Sequence, residues 1–288
     1  MAAYLNPWLA VPSEPPYLLF CDFEIIRAYN ATHQNKKYQV QDTVLPEPFV
    51  GVTTAPVILR GLNPGFNDQD PEVHSRPEFQ ALLRNNYCHA SSAFPFYFLN
   101  PGFECSGRRW WERLLRWLLE KFSPKELARS ILCVEYFPYH SRNFNHASLR
   151  LPSQEYGFSL VRSAIARGSV VVIMRAERYW KASVPELEGY SRALRLNSRQ
   201  NVSVSPSRKL SGCRSVLTLP ACGRWLHHLS SQELATQHFQ KIEIAAPDCV
   251  HCFTFPSNRG ANRPASSTIL PYLRHSLLLQ PRPFFLLP

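Results

Sequence analysis

Ten consecutive residues, Val57-Ile58-Leu59-Arg60-Gly61-Leu62-Asn63-Pro64-Gly65-Phe66, leave this chain few folds to choose from. The β-branched pair Val57 and Ile58 favours extended backbone, while Gly61, Pro64 and Gly65 stop the strand from running on. A short buried strand that breaks into a polar turn is what an open parallel α/β sheet presents at its carboxyl edge, where ligands bind. Asn63 therefore stands where chemistry is expected. Pro64 fixes its own φ and pushes Asn63 towards extended backbone, and Gly65 permits close approach of a ligand. The pentapeptide Leu-Asn-Pro-Gly-Phe recurs at 99–103, but there it follows Phe94-Pro95-Phe96-Tyr97-Phe98, too Pro-interrupted for a central strand. Asn-Pro-Gly is a common turn signal, so the second copy is read as a turn.

Other segments punctuate in the same way. Ser130–Phe137 and Ser169–Met174 read as second and third strands, the third with the near-continuous apolar run of a buried parallel strand. Asn201–Ser205 reads as a fourth, alternating strand halted by Pro206. Between them, 77–84, 109–121 and 153–167 carry helical patterns, with Ser153 as N-cap, and another helix starts within Arg175–Trp180. The tryptophans of 109–121 are read as core packing before base stacking. Strand–helix alternation implies α/β class: a three-layer α/β/α domain over residues 1–207 with a four-stranded parallel sheet.

From 208 to 288 the pattern dissolves, leaving one possible helix at Gln232–Ile244. This irregular, basic tail is expected to be poorly ordered or translated out of frame. The net charge is +11, of which nine Lys/Arg and three acids beyond Ser207 contribute +6. Such a charge permits a polyanionic partner without demanding one. No apolar run approaches membrane-span length, and the N-terminus lacks a signal-peptide pattern, so a cytoplasmic protein is expected. Eight scattered cysteines are read as reduced thiols. Cys249-Val250-His251-Cys252 with Cys213, Cys222, His227 and His228 lacks regular zinc-ligand spacing, and Cys21, Cys88, Cys105 and Cys133 lack iron–sulfur spacing. No metal and no cofactor are expected.

Together the strand ends resemble the uracil-DNA glycosylase superfamily, with Gly61-Leu62-Asn63-Pro64-Gly65 similar to the first active-site motif of its mismatch-specific and single-strand-selective branches. Phe94–Leu99, Glu135–Ser141 and Leu196-Asn197-Ser198 resemble a bacterial group within it. The resemblance covers roughly residues 50–207. It implies a monomeric DNA-repair hydrolase that takes single- or double-stranded DNA, turns a damaged or mismatched base out of the helix and releases it. It also implies that Asn63 holds the attacking water, with Asp68 or Asp70 as base unless they merely cap the loop. Phe66 or Tyr97 stacks on the base unless either is core. Glu135 stands where relatives carry an Asn that reads the uracil amide edge. As an ionised acceptor it would repel O4 and suit a base with an amino donor, or else it is a structural, salt-bridged residue. Ser203, in Ser203-Val204-Ser205-Pro206-Ser207, falls where relatives carry a His; Ser205 is a further base contact. His140 either substitutes for that His or is a plain surface residue. Pro206, Ser207, Arg208 and Lys209 are the DNA contacts the resemblance implies. The remaining alternatives are a binding module that kept the fold and lost the chemistry, an unrelated nucleotide-processing enzyme, and an incomplete gene product.

Overall fold

The computed structural model describes residues 5–196, Val204 and the two-residue strand 210–211. All of these belong to the first of two compact units, Met1–His238. The second unit, the possible helix at 232–244, the cysteine and histidine pairs of the tail, and Ser203, Ser205, Pro206, Ser207, Arg208 and Lys209 lie outside the described residues.

The chain is a mixed α/β protein. Six strands, β1 (Phe49–Gly51), β2 (Val57–Arg60), β3 (Ile131–Val134), β4 (Val170–Ile173), β5 (Ala193–Leu196) and β6 (Leu210–Ser211), form one sheet in the order β1-β3-β2-β4-β5-β6. The four central strands are parallel, and β1 and β6 add antiparallel edges. The expected four-stranded, all-parallel sheet is thus corrected to a mixed one. β1 escapes sequence pattern because it is three residues long and follows Pro46 and Pro48. The fourth parallel strand among the described residues is Ala193–Leu196; of the expected Asn201–Ser205 strand only Val204 is described, the rest lying outside the described residues. Val204 is buried outside any strand, its N–H donating to the Leu114 carbonyl at 3.0 Å. β5 escaped the sequence pattern because it lies near the sheet edge and buries too little to show a clear apolar run.

Seven α-helices occur among the described residues: α1 (Phe20–Thr32), α2 (Asp70–Ser75), α3 (Pro77–Tyr87), α4 (Ser106–Leu119), α5 (Pro124–Ser130), α6 (Gln154–Ala166) and α7 (Glu177–Ser183). α3, α4, α6 and α7 stand where their periodicity predicts. α4 buries Trp111, Leu114, Leu115 and Leu118 and leaves Arg109, Arg113 and Arg116 exposed. Ser153 occupies the N-cap of α6 without a side-chain capping bond. The second Leu-Asn-Pro-Gly-Phe copy is a turn after a 3₁₀ helix at Tyr97–Leu99, as expected.

Successive strand residues face opposite sides of the sheet. Val134 of β3 lies close to Gly157 of α6, while Cys133 faces the other side and lines a cleft with Trp111 of α4. Arg60 shares the α7 side, where its fully buried guanidinium lies 5.1 Å from the Trp180 ring centroid and has no hydrogen-bond partner. Parallel pairing of β2 with both β3 and β4 buries all four β2 residues. That packing brings the polar turn after Arg60 to the carboxyl edge of the sheet.

Candidate functional site

The turn after β2 is fixed by its own carbonyl groups. Gly61 O accepts from Trp180 Nε1 at 2.8 Å, and Leu62 O accepts from Phe137 N at 2.9 Å. Pro64 O accepts from Ser141 N at 3.4 Å, and Gly65 O from His140 Nδ1 at 2.6 Å. Asn63 Nδ2 donates to Pro64 O at 2.8 Å and to Ser141 Oγ at 2.9 Å. Both amide hydrogens are therefore used, and Oδ1 is left to accept from another partner. A Cβ at Gly65 would meet no atom within 4 Å, so the space beside it is open for a ligand.

This turn forms one wall of a cleft of about 610 Å³ lined by Leu62, Asn63, Pro64, Gly65, Phe66, Glu135 and His140, with Arg113, Arg142 and Arg175 among its other residues. Such a volume lies within the range of small-molecule clefts. Glu135 follows β3 on the face of Cys133, and its carboxylate packs on Gly61: a Cβ there would stand 2.0 Å from Glu135 Oε2. Oε2 is buried without a partner. Burial pushes the Glu135 carboxyl up to about 7, against the Cys133 thiol, which donates to Oε1 at 3.6 Å, and against the Arg175 charge. The expectation of a plainly ionised acceptor changes accordingly. Near neutral pH the group is a mixture of carboxylate and carboxylic acid, and the acid donates as well as accepts.

The sequence candidates do not all converge. Phe66 lines the cleft, with the Arg142 guanidinium 5.8 Å from its ring centroid. Tyr97 instead packs edge-on against Phe79 at 5.7 Å and is 1 % exposed, so it is core and not a stacking platform of this cleft. Asp68 is exposed and ion-paired with Arg142 at the rim. Asp70 is buried and holds the loop, accepting from Asn67 N and Nδ2, both at 2.7 Å, and from Ser106 Oγ at 3.1 Å. The loop-capping alternative thus describes Asp70, while Asp68 is paired with Arg142.

His140 is not a surface residue. It is 3 % exposed, and burial holds its imidazole below the ordinary value against the opposing pull of the Gly65 carbonyl and Asp70. His74 of α2 and Glu47, neither singled out by sequence, join it: His74 Nε2 and His140 Nε2 lie 3.7 and 3.9 Å from Glu47 Oε1. No local spacing links positions 47, 74 and 140. The one available sequence signal was a glutamate between two prolines, Pro46-Glu47-Pro48, in an otherwise apolar stretch.

Comparisons of the chain with protein families, with curated proteins and with solved structures find no match.

Proposed function

We propose that this chain is a DNA glycosylase-like hydrolase of the uracil-DNA glycosylase superfamily, which hydrolyses the N-glycosidic bond of a base turned out of DNA. The tethering of Asn63 supports this most directly. Its side chain is locked at the carboxyl end of a central parallel strand with only its acceptor oxygen free, which suits it to hold a water against the anomeric carbon. The parallel core of β3-β2-β4-β5, with helices on both faces, supports the same assignment. An amide cannot take the proton of that water as a carboxylate does, so oxocarbenium character on the sugar must carry most of the bond breaking. Glu135 in its acid form reads an amide edge: its O–H donates to a carbonyl such as uracil O4, and its carbonyl oxygen accepts N3–H. Uracil thus returns as a substrate that an ionised Glu135 would exclude. Phe66 supplies the stacking surface, and Arg113, Arg142 and Arg175 offer cations to phosphates.

Single-turnover base release tests this, with oligonucleotides carrying uracil, hypoxanthine or mismatched thymine, single- and double-stranded. Asn63→Ala is expected to lose at least about 100-fold in rate, the scale of removing a positioned catalytic group, with DNA affinity little changed. One observation favours a second reading, a nucleic-acid-binding module without chemistry: Asp68 and Asp70, the acids nearest Asn63 in sequence, are both engaged elsewhere. A folded protein that binds these oligonucleotides and cleaves none would establish that reading instead.

A further inference from the structure

We propose that Glu47, His74 and His140 form a binding site for one divalent first-row transition ion on the wall of the cleft. The inference goes beyond the glycosylase reading and does not depend on it. One ligand atom from each residue lies within 4.8 Å of the others. The two imidazole–carboxylate separations, 3.7 and 3.9 Å, exceed hydrogen-bonding distance. They fall close to the separation of about 3.3 Å between ligands of a tetrahedral ion with bonds near 2.0–2.1 Å. A small inward movement of side chains closes the difference.

The three residues are all at least nine-tenths buried, and His140 Nε2, which faces Glu47 Oε1, has no hydrogen-bond partner. A buried polar atom is seldom left so, and one aimed at a carboxylate and a second imidazole calls for a shared partner. His140 is already arranged as a ligand: Nδ1–H donates to Gly65 O at 2.6 Å, fixing the tautomer that offers a bare Nε2 to the cluster. The His74 and His140 rings stand edge to face with centroids 5.0 Å apart, so both reach one point without stacking on each other. Glu47 is anchored through its backbone, its N–H donating to Pro138 O at 3.0 Å.

Asp70 and Glu135 act on Glu47 with negative charge, which favours a cation beside it. Two nitrogens and one carboxylate oxygen suit Zn²⁺, Co²⁺ or Fe²⁺ better than Ca²⁺ or Mg²⁺. Because all three residues line the cleft, three protein ligands leave a fourth position for water or a ligand oxygen, the arrangement of a reactive metal centre more than of a closed structural one.

The full chain, stripped with a chelator, should be titrated with Co²⁺ while visible absorption is followed, and then with Zn²⁺ as competitor. One equivalent of Co²⁺ is expected to give the absorption of a low-coordinate site, and Zn²⁺ to displace it. His74→Gln is the primary variant, since the His74 side chain makes no hydrogen bond among the described residues; Glu47→Gln serves if that variant misfolds. Each should weaken Zn²⁺ binding at least tenfold, with an unchanged far-ultraviolet spectrum. No binding by the folded wild type would overturn the proposal and leave a bridging water as the partner. Binding undiminished in both variants would also overturn it, by placing the ion elsewhere, such as on the cysteines and histidines beyond residue 212. Base release enters none of these readouts, so this site and the glycosylase reading fail separately.

Discussion

At the scale of single residues, burial moves the ionisable groups around this fold in opposite directions. Glu135 is pushed up to about 7, so it is protonated below that pH and charged above it. If its acid form reads uracil, base release should fall as pH rises through about 7, and Glu135→Gln, which donates and accepts at every pH, should flatten that limb. Initial rates from pH 5.5 to 8.5 check this; an unchanged slope in the variant would assign the limb to another group. His146 is shifted the other way, to about 4, by burial and by His33. Both its ring nitrogens are unpartnered, and Phe137 and Phe144 stand 4.1 and 4.3 Å away, centroid to centroid. The unfolded chain protonates this His near 6.5 and the folded chain only near 4, so its contribution is present above 6.5 and is lost as pH falls through that window. His146→Phe should therefore remove about one proton from those taken up on unfolding between these values, measured as a shallower decline of denaturant stability with acidification. Asn63 and Glu135 were legible in sequence because one stands in the turn just beyond a strand and the other at a strand end. Glu47 and His74 were not, because their meeting with His140 depends on the packing of a loop and a six-residue helix.

At the scale of elements, the 61–65 turn separates two uses of glycine. Gly61 keeps the Glu135 carboxylate in place, since any Cβ there would displace it. Gly65 has open space and no positive φ, so the fold itself does not require it. Gly65→Ala should leave the melting temperature within about 2 °C, as expected of a surface change costing under 0.5 kcal/mol. If ligand backbone lies against Gly65, the same variant should lose DNA affinity, measured by fluorescence anisotropy; unchanged affinity would return Gly65 to a simple turn role. β2, β3 and β4 could be placed from sequence because central parallel strands are continuously apolar. β1 and β5 could not: β1 is only three residues long behind two prolines, and β5 is only partly buried.

For the whole molecule, charge and cleft point the same way. Arg109, Arg113 and Arg116 repeat at spacings of four and three along the exposed side of α4, and Arg113 also lines the cleft. Such a stripe lies along one helical face, as phosphate contacts from a single helix require. Arg113→Ala is expected to weaken DNA binding about equally across sequences and to reduce the slope of log K against log salt by roughly 1. Titrations at four salt concentrations measure it, and an unaltered slope would remove Arg113 from the interface. No helix among the described residues is long and apolar enough to cross a membrane. The sequence conveyed the α/β class and the location of the cleft, because both follow from strands that end in polar turns. It did not convey the mixed edges of the sheet or the histidine pair, which arise only when distant segments pack.

The tether on Asn63 also bears on how this chain can evolve. Aspartate, one nucleotide away, would supply the proton acceptor that the amide lacks. Yet its carboxylate would face the Pro64 carbonyl, which now accepts from Asn63 Nδ2 at 2.8 Å and has no proton to offer. The Ser141 hydroxyl can turn and donate; the Pro64 carbonyl cannot. On the glycosylase reading proposed above, gaining that acceptor requires the loop to be rebuilt first. The rigidity that suits the amide is thus also what excludes its acid counterpart at this position.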